Sequence, residues 1–174
     1  MAKISAGLMM YCIEGRKIKV FLGHVGGPFG KRDKMWGIPK GEVDNGNGGD
    51  VDIEDEKVVL NNAVREFEEE IGFAPKLKDA FYLGKVKRKN GRLVYVWAFQ
   101  GNGREKFVKS NTVELEWPPK SGIIIKVLEI DDARYFTLED AKKNMHKFQE
   151  PLIGMIYEKL KDKIGKEEKQ RKLF

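Results

Sequence analysis

The sequence predicts a single α/β domain, an α/β/α sandwich with a mixed β-sheet between helices. Three observations carry this. Two apolar runs close to the N-terminus, 4–11 and 18–22, read as a hairpin. Residues 56–71 read as a long amphipathic helix stopped by Gly72 and Pro75. A second amphipathic helix opens at Pro151. The first helix is expected on one side of the sheet and the last helix on the other.

In chain order, Ile4 to Tyr11 is apolar with few charges and reads as a buried strand. Glu14 to Lys17 is a turn, and Ile18 to Leu22 alternates, as the second arm of a hairpin does. Gly23 to Lys34 holds four glycines and ends in Lys31, Arg32 and Lys34. Such a segment is either a phosphate-approaching loop, since glycine exposes backbone N–H groups, or a mobile surface loop. Trp36 to Val43 (WGIPKGEV) is a short strand and turn. Asp44 to Asp55 is rich in Gly, Asn and Asp and reads as an inserted loop; its spacing does not match a calcium-binding hand.

Asp55 is a plausible N-cap for the helix Glu56 to Ile71. Phe81 to Lys87 and Leu93 to Phe99 are strands, and Asn90-Gly91 between them favours a type I′ hairpin turn. Asn102 to Pro119 reads as irregular, and Ile123 to Ile130 as containing a strand. Ala133 to Thr137 leads into a helix, Leu138 to about Met145, with Thr137 and Asp140 forming a short capping box. Leu152, Ile153, Ile156, Tyr157 and Leu160 recur at helical spacing after Pro151. The domain is expected over residues 1–162 with the insertion at 44–55, and 163–174 as a charged tail.

The chain has 174 residues, enough for one substantial core. With 41% hydrophobic and 34% charged residues it is globular rather than disordered. A net charge of +6 favours polyanionic partners such as nucleotides or nucleic acid. Cys12 is the single cysteine, which excludes an intrachain disulfide and a cysteine-based zinc site. No stretch has the apolar length of a membrane span or of a signal peptide, so the expectation is a cytoplasmic protein, monomeric or homodimeric, without membrane partners.

The stretch Arg65 to Phe73 (REFEEEIGF) organises the rest. With Glu66 at zero, helical rotation of about 100° per residue puts Glu70 about 40° to one side and Glu69 about 60° to the other. Ala63, Val64, Phe67 and Ile71 fall on a second face. Carboxylates at i, i+3 and i+4 repel one another, which a divalent cation would offset. A solvated acidic face is the plain alternative. Gly72 directly after the last carboxylate, and the upstream loop Trp36-Gly37-Ile38-Pro39-Lys40-Gly41-Glu42 with its lysine, favour the cation.

Gly41, followed by Arg65-Glu66-Phe67-Glu68-Glu69-Glu70-Ile71-Gly72-Phe73, resembles the Nudix box, whose second half matches at every specified position. Trp36 to Gly41 is similar to the Trp-x-x-Pro-Lys-Gly lead-in of that superfamily. Ser5 to Leu8, Gly26 to Phe29 and Ser110 to Pro119 resemble a subgroup described as predicted nucleoside triphosphate pyrophosphohydrolases. One departure stands out. The motif wants a glutamate eight residues before Arg65, where this chain has Lys57; Glu56 is the neighbouring substitute.

The resemblance implies a Nudix-like fold and a metal-dependent pyrophosphohydrolase that cleaves nucleoside diphosphates linked to a further group, here nucleoside triphosphates or dinucleoside polyphosphates. It implies Glu66, Glu69, Glu70 and the Gly41 carbonyl as ligands of Mg²⁺, with Mn²⁺ a possible substitute. Glu69 is the first choice for general base or shared ligand, and Glu66 and Arg65 complete the catalytic set, Arg65 by ion pairing that Glu56 is expected to share. Late-loop alternatives for the base are Glu114 and Glu116. Lys40 is expected on a substrate phosphate, and Trp36, with Phe29 and Trp117, stacks on a nucleobase or packs. His24 and His146 are read as structural or surface residues. Two other functions stay open: hydrolysis at an RNA 5′ end, and a non-catalytic nucleotide-binding protein.

Overall fold

The computed structural model describes residues 3–44 and 55–171. Its main sheet has seven strands. β1 (Ser5–Glu14) lies at the centre and β2 (Lys17–Val25) pairs antiparallel with it across a turn at Gly15 and Arg16. β3 (Trp36–Gly37) and β4 (Lys40–Glu42) are short; β3 pairs with β2, and β4 lies antiparallel to β1. β5 (Phe81–Lys87) and β6 (Leu93–Gln100) form a hairpin, and β6 runs parallel to β1. β9 (Ile130–Thr137) pairs antiparallel with β2. The sheet is therefore mixed, as expected. β7 (Thr112–Glu116) and β8 (Ile124–Leu128) form a separate two-stranded hairpin.

Helices cover both faces. The continuous apolar run of β1 serves two cores, as a strand buried on both sides must. Ala6, Leu8 and Met10 face α1 (Glu56–Ile71), whose Val59, Ala63, Phe67 and Ile71 are buried against them. Met9 and Tyr11 face the other way, toward α2 (Leu138–Asn144) and α3 (Pro151–Arg171), which contribute Ala141, Leu152, Ile153, Ile156 and Leu160.

Several expectations need correcting. The Asn90-Gly91 turn is not type I′, which requires positive φ at both central residues. Gly91 N–H donates to the Arg88 carbonyl, Arg88 N–H to the Arg92 carbonyl, and Gly91 at φ 87° takes the left-handed position after the turn. Residues 133–137 do not merely lead into a helix; they belong to β9. Its buried residues, Ile130, Ala133 and Phe136, recur every third position because Ala133 joins the α1 core and Phe136 the α3 core. That spacing imitates a helix. β7 lies inside the segment expected to be irregular, and its hairpin leaves Thr112 to Glu114 exposed. α3 continues to Arg171, past the expected start of a tail at residue 163.

Most of the inserted loop, residues 45–54, lies outside the described residues. In the Gly23–Lys34 segment β2 continues to Val25 and a 3-10 turn follows at Gly27–Lys31. Its glycines serve close backbone packing: a Cβ on Gly26 or Gly30 would lie 2.1 Å from the carbonyl oxygen of Leu128 or Val25. Among the described residues no helix is long and apolar enough to cross a membrane.

Candidate active site

The site is assembled on α1. Asp55 caps it, its carboxylate accepting from the N–H groups of Lys57 and Val58, and Gly72 ends it at φ 95° with its N–H on the Glu68 carbonyl. Few residues other than glycine adopt that conformation readily. The helix thus begins and ends where local chemistry dictates, which fixes the rotation of its acidic residues.

Those residues do not form a solvated face. Glu66 is 8% exposed and Glu70 3%, while Glu69 remains exposed. Both buried carboxylates press on β4. Lys40 N–H donates to Glu70 Oε2 at 3.1 Å. At Gly41 the contact is closer still, since an added Cβ would sit 1.9 Å from Glu66 Cδ. The glycine of the Pro-Lys-Gly loop is therefore the space that Glu66 occupies.

Arg65 gathers the exposed side. Its Nη1 reaches both oxygens of Glu69 at 3.1 and 3.0 Å, and its Nη2 lies 2.8 Å from Glu66 Oε1. Nη2 also reaches Asn62 Oδ1 at 3.2 Å and Asp44 Oδ2 at 3.4 Å. Glu56, expected to share Arg65, instead accepts from Trp97 Nε1 at 3.3 Å. The helix has advanced more than two turns between residues 56 and 65, whereas Asp44 arrives directly from the end of β4. Asn62 secures that arrival, donating to the Asp44 carbonyl at 2.9 Å and accepting from its N–H at 3.3 Å.

A fourth carboxylate lies within electrostatic reach of the group. Glu129, between β8 and β9, bears electrostatically on both Glu66 and Glu70. Its backbone is fixed at both ends: the N–H donates to the Asn111 carbonyl at 3.0 Å and the carbonyl accepts from Gly26 at 2.9 Å. Asn111 N–H in turn donates to the Glu69 carbonyl at 2.9 Å. Sequence reasoning missed Glu129, which had no motif to mark it, and named Glu114 and Glu116 instead. Glu114 stands opposite Lys126 in the β7–β8 hairpin, and Glu116 accepts from Gly122 N–H at 2.6 Å. A groove of about 700 Å³ runs along the outer side of α1, lined by Arg65, Glu68, Glu69, Lys109, Ser110 and Asn111 among others.

Burial raises the pKa of Glu70 to about 8; Lys40 opposes this, while Glu129 and Glu66 add to it. Glu66 is raised by burial too, with Arg65 opposing and Glu69 and Glu129 contributing. A protein keeps buried carboxylates this close only at a cost unless positive charge offsets them. The donor set fits a hard divalent cation: carboxylate oxygens on one helix and an adjacent strand carbonyl at Gly41, with the Glu129 charge within electrostatic reach. Among the described residues no three acidic, His or Cys side chains already converge as ligands, since Glu66 and Glu69 turn to Arg65 and Glu70 to Lys40.

The remaining candidates lie elsewhere. Trp36 is packed, its ring 4.7 Å from Phe136 and 4.9 Å from His24, with the Arg134 guanidinium 4.7 Å from its centroid. Its strand partner is His24, on the sheet face away from α1, so it does not stand among the carboxylates. Phe29 and Trp117 meet edge to face at 5.6 Å.

Comparison with known proteins gives a consistent result. A family model described as NUDIX domain matches residues 4–154. No curated protein matches. Among solved structures, an Ap4A hydrolase of C. elegans superposes with a TM-score of 0.56 at 21% identity, covering 91% of this chain and 97% of that one. The NUDIX domain of Shewanella oneidensis NrtR, solved with ADP ribose, gives 0.54 at 12% identity over 92% and 89%. A NUDIX hydrolase of Listeria monocytogenes, described as putative, gives 0.56 at 16% identity over 92% and 96%. At these identities the likeness is one of fold.

Proposed function

The chain belongs to the NUDIX domain family as a Nudix hydrolase, and from that premise we propose that it cleaves a phosphoanhydride bond in nucleoside diphosphate-X compounds with the help of Mg²⁺ or Mn²⁺. Nucleoside triphosphates and dinucleoside polyphosphates are the substrates proposed. The observation that carries this is the burial of Glu66 and Glu70 against Lys40 and Gly41, with Glu69 and Arg65 beside them. A surface acidic patch needs no such enclosure.

Glu66, Glu69, Glu70 and the Gly41 carbonyl would hold the cation, with Glu129 within electrostatic reach. When bound, a divalent cation eases removal of a proton from water and offsets the charge of the phosphate oxygens, worth several kcal/mol of barrier. Each of the chain's own groups has a distinct task. Glu70 is oriented by the Lys40 N–H, so its position is fixed before substrate arrives. Arg65 donates from Nη1 to both oxygens of Glu69 and holds Glu66 by Nη2. Glu69, the exposed member of the trio, is the first choice to accept a proton from attacking water, or else to share the cation; its exposure supports the former.

The test is a substrate panel assayed with Mg²⁺, with Mn²⁺ and with chelator, products identified. It includes nucleoside triphosphates, dinucleoside polyphosphates, nucleotide sugars and triphosphorylated RNA. The expected result is metal-dependent release of nucleoside monophosphate from a triphosphate or dinucleoside polyphosphate. No turnover of any compound would overturn the catalytic reading in favour of a nucleotide-binding protein.

A further inference from the structure

The β7–β8 hairpin stands apart from the main sheet and carries most of the exposed apolar surface. Among the described residues seven large apolar side chains are exposed, and five of them, Val108, Val113, Ile123, Ile124 and Leu128, lie on the hairpin or just before it. Apolar surface gathered in one place marks contact with another protein, as singly scattered residues do not. One face of the hairpin is covered from within the chain: a Cβ on Gly27 would lie 2.9 Å from Val127, and Phe29 meets Trp117. The other face carries Glu114 and Glu116 on β7 and Ile124 and Lys126 on β8, all exposed.

β8 also has an open edge. The Trp117 N–H donates to the Ile123 carbonyl at 2.8 Å, and the Glu129 N–H to the Asn111 carbonyl at 3.0 Å. By antiparallel alternation Ile123, Ile125, Val127 and Glu129 turn their main chain toward β7, and Ile124, Lys126 and Leu128 turn theirs away. Leu128 is closed off, since a Cβ on Gly26 would lie 2.1 Å from its carbonyl oxygen. Among the described residues the outward N–H and C=O groups of Ile124 and Lys126 bond to no other backbone group. An apolar strand edge with unpaired groups is a template for a further strand.

We propose that β8 pairs antiparallel with β8 of a second copy of this chain, about a two-fold axis at Ile125. Charge and the open groups select this register. Centring the pair on Lys126 would set the two lysines directly opposite each other, which is destabilising, and would use the Leu128 edge that Gly26 covers. Centring on Ile125 sets Ile124 opposite Lys126 of the second copy, and Lys126 opposite its Ile124. Each such pair exchanges both backbone hydrogen bonds through the groups that β7 leaves open. Ile125 then meets Ile125, and Ile123 meets Val127, so the inner row stays apolar. On the exposed face each lysine stem lies along an isoleucine of the other copy, while its own cross-strand neighbour is Glu114. The contact is isologous and closes at two copies.

The test is sedimentation of the full chain across a concentration series, where a reversible monomer–dimer equilibrium is expected. Ile124→Lys sets lysine opposite lysine across the two-fold and should weaken dimerisation about tenfold or more, whereas Leu128→Lys, outside the pairing, should change it less than about twofold. Lys126→Pro removes an N–H that bonds to no backbone group within one chain, so it should abolish the dimer with the circular dichroism unchanged. Ile125→Cys should give a disulfide-linked dimer on oxidation, because opposed Cα atoms at a non-hydrogen-bonded position lie about 4.5 Å apart, within disulfide reach. Cys12 is buried, so the wild type should not cross-link. A monomer at every concentration would overturn the proposal. So would a dimer indifferent to both Ile124→Lys and Lys126→Pro, or cross-linking of Leu128→Cys as complete as that of Ile125→Cys.

Discussion

The Glu66 carboxyl occupies the space above Gly41, so close that a Cβ there would lie 1.9 Å from Glu66 Cδ. The atoms met are the end of the Glu66 side chain, which is enclosed, so a Cβ at Gly41 forces the carboxyl out of its place. Gly41→Ala should therefore expel the carboxyl and lower kcat/KM by about a hundredfold or more, since misplacement by about 1 Å is that costly. Circular dichroism should show the fold retained. Wild-type kinetics in this variant would mean that Glu66 has no catalytic task.

Glu70 gives a pH signature. Its folded pKa is raised to about 8, against 4.5 unperturbed. Between those values the folded state binds a proton that the unfolded state has released, so its contribution to stability is present below about 4.5 and is lost as pH rises through about 8. Metal-free Glu70→Gln should accordingly melt several degrees above wild type at pH 9, with the gap closing toward pH 5. Thermal melts across that range decide it. A constant gap at every pH would show that Glu70 does not titrate in this window.

Removing the cation should matter most where the carboxylates are intact. Mg²⁺ should raise the wild-type Tm at pH 8, because a ligand that binds only the folded state stabilises it by mass action. The shift should be much smaller in Glu70→Gln. Equal shifts in both proteins would place cation binding elsewhere.

Glu129 and Glu116 make a paired test. Glu129 bears electrostatically on Glu66 and Glu70, whereas Glu116 is engaged with the Gly122 N–H in the outlying hairpin. Glu129→Gln should reduce kcat more than about tenfold, a typical lower bound for a group acting at the reacting centre. Glu116→Gln should stay within about twofold. The reverse order would restore the hairpin carboxylate as the catalytic group.

What the sequence showed and what it hid divide along physical lines. The limits of α1 were legible because Asp55 and Gly72 act on neighbours in the chain. The grouping of Glu66, Glu69 and Glu70 was legible because helical periodicity alone produces it. The burial of two of them was not, since that depends on β4 arriving against the helix. Arg65 was identified, but its partners beyond Glu66 and Glu69 were not: Asp44 meets it from across the chain and Asn62 from one helical turn away, while Glu56 goes to Trp97. Glu129 has no local signal at all and is aligned by backbone bonds to Asn111 and Gly26. β9 was read short because its inward residues alternate between two cores instead of marking one face.

The most direct test of the catalytic proposal is turnover of the best substrate in the panel by wild type and by Glu69→Gln, each with Mg²⁺ and with chelator. The account predicts Mg²⁺-dependent hydrolysis by wild type and a loss of two orders of magnitude or more in the variant, with the fold retained. Equal rates for the two proteins, or wild-type hydrolysis that persists in chelator, would contradict it.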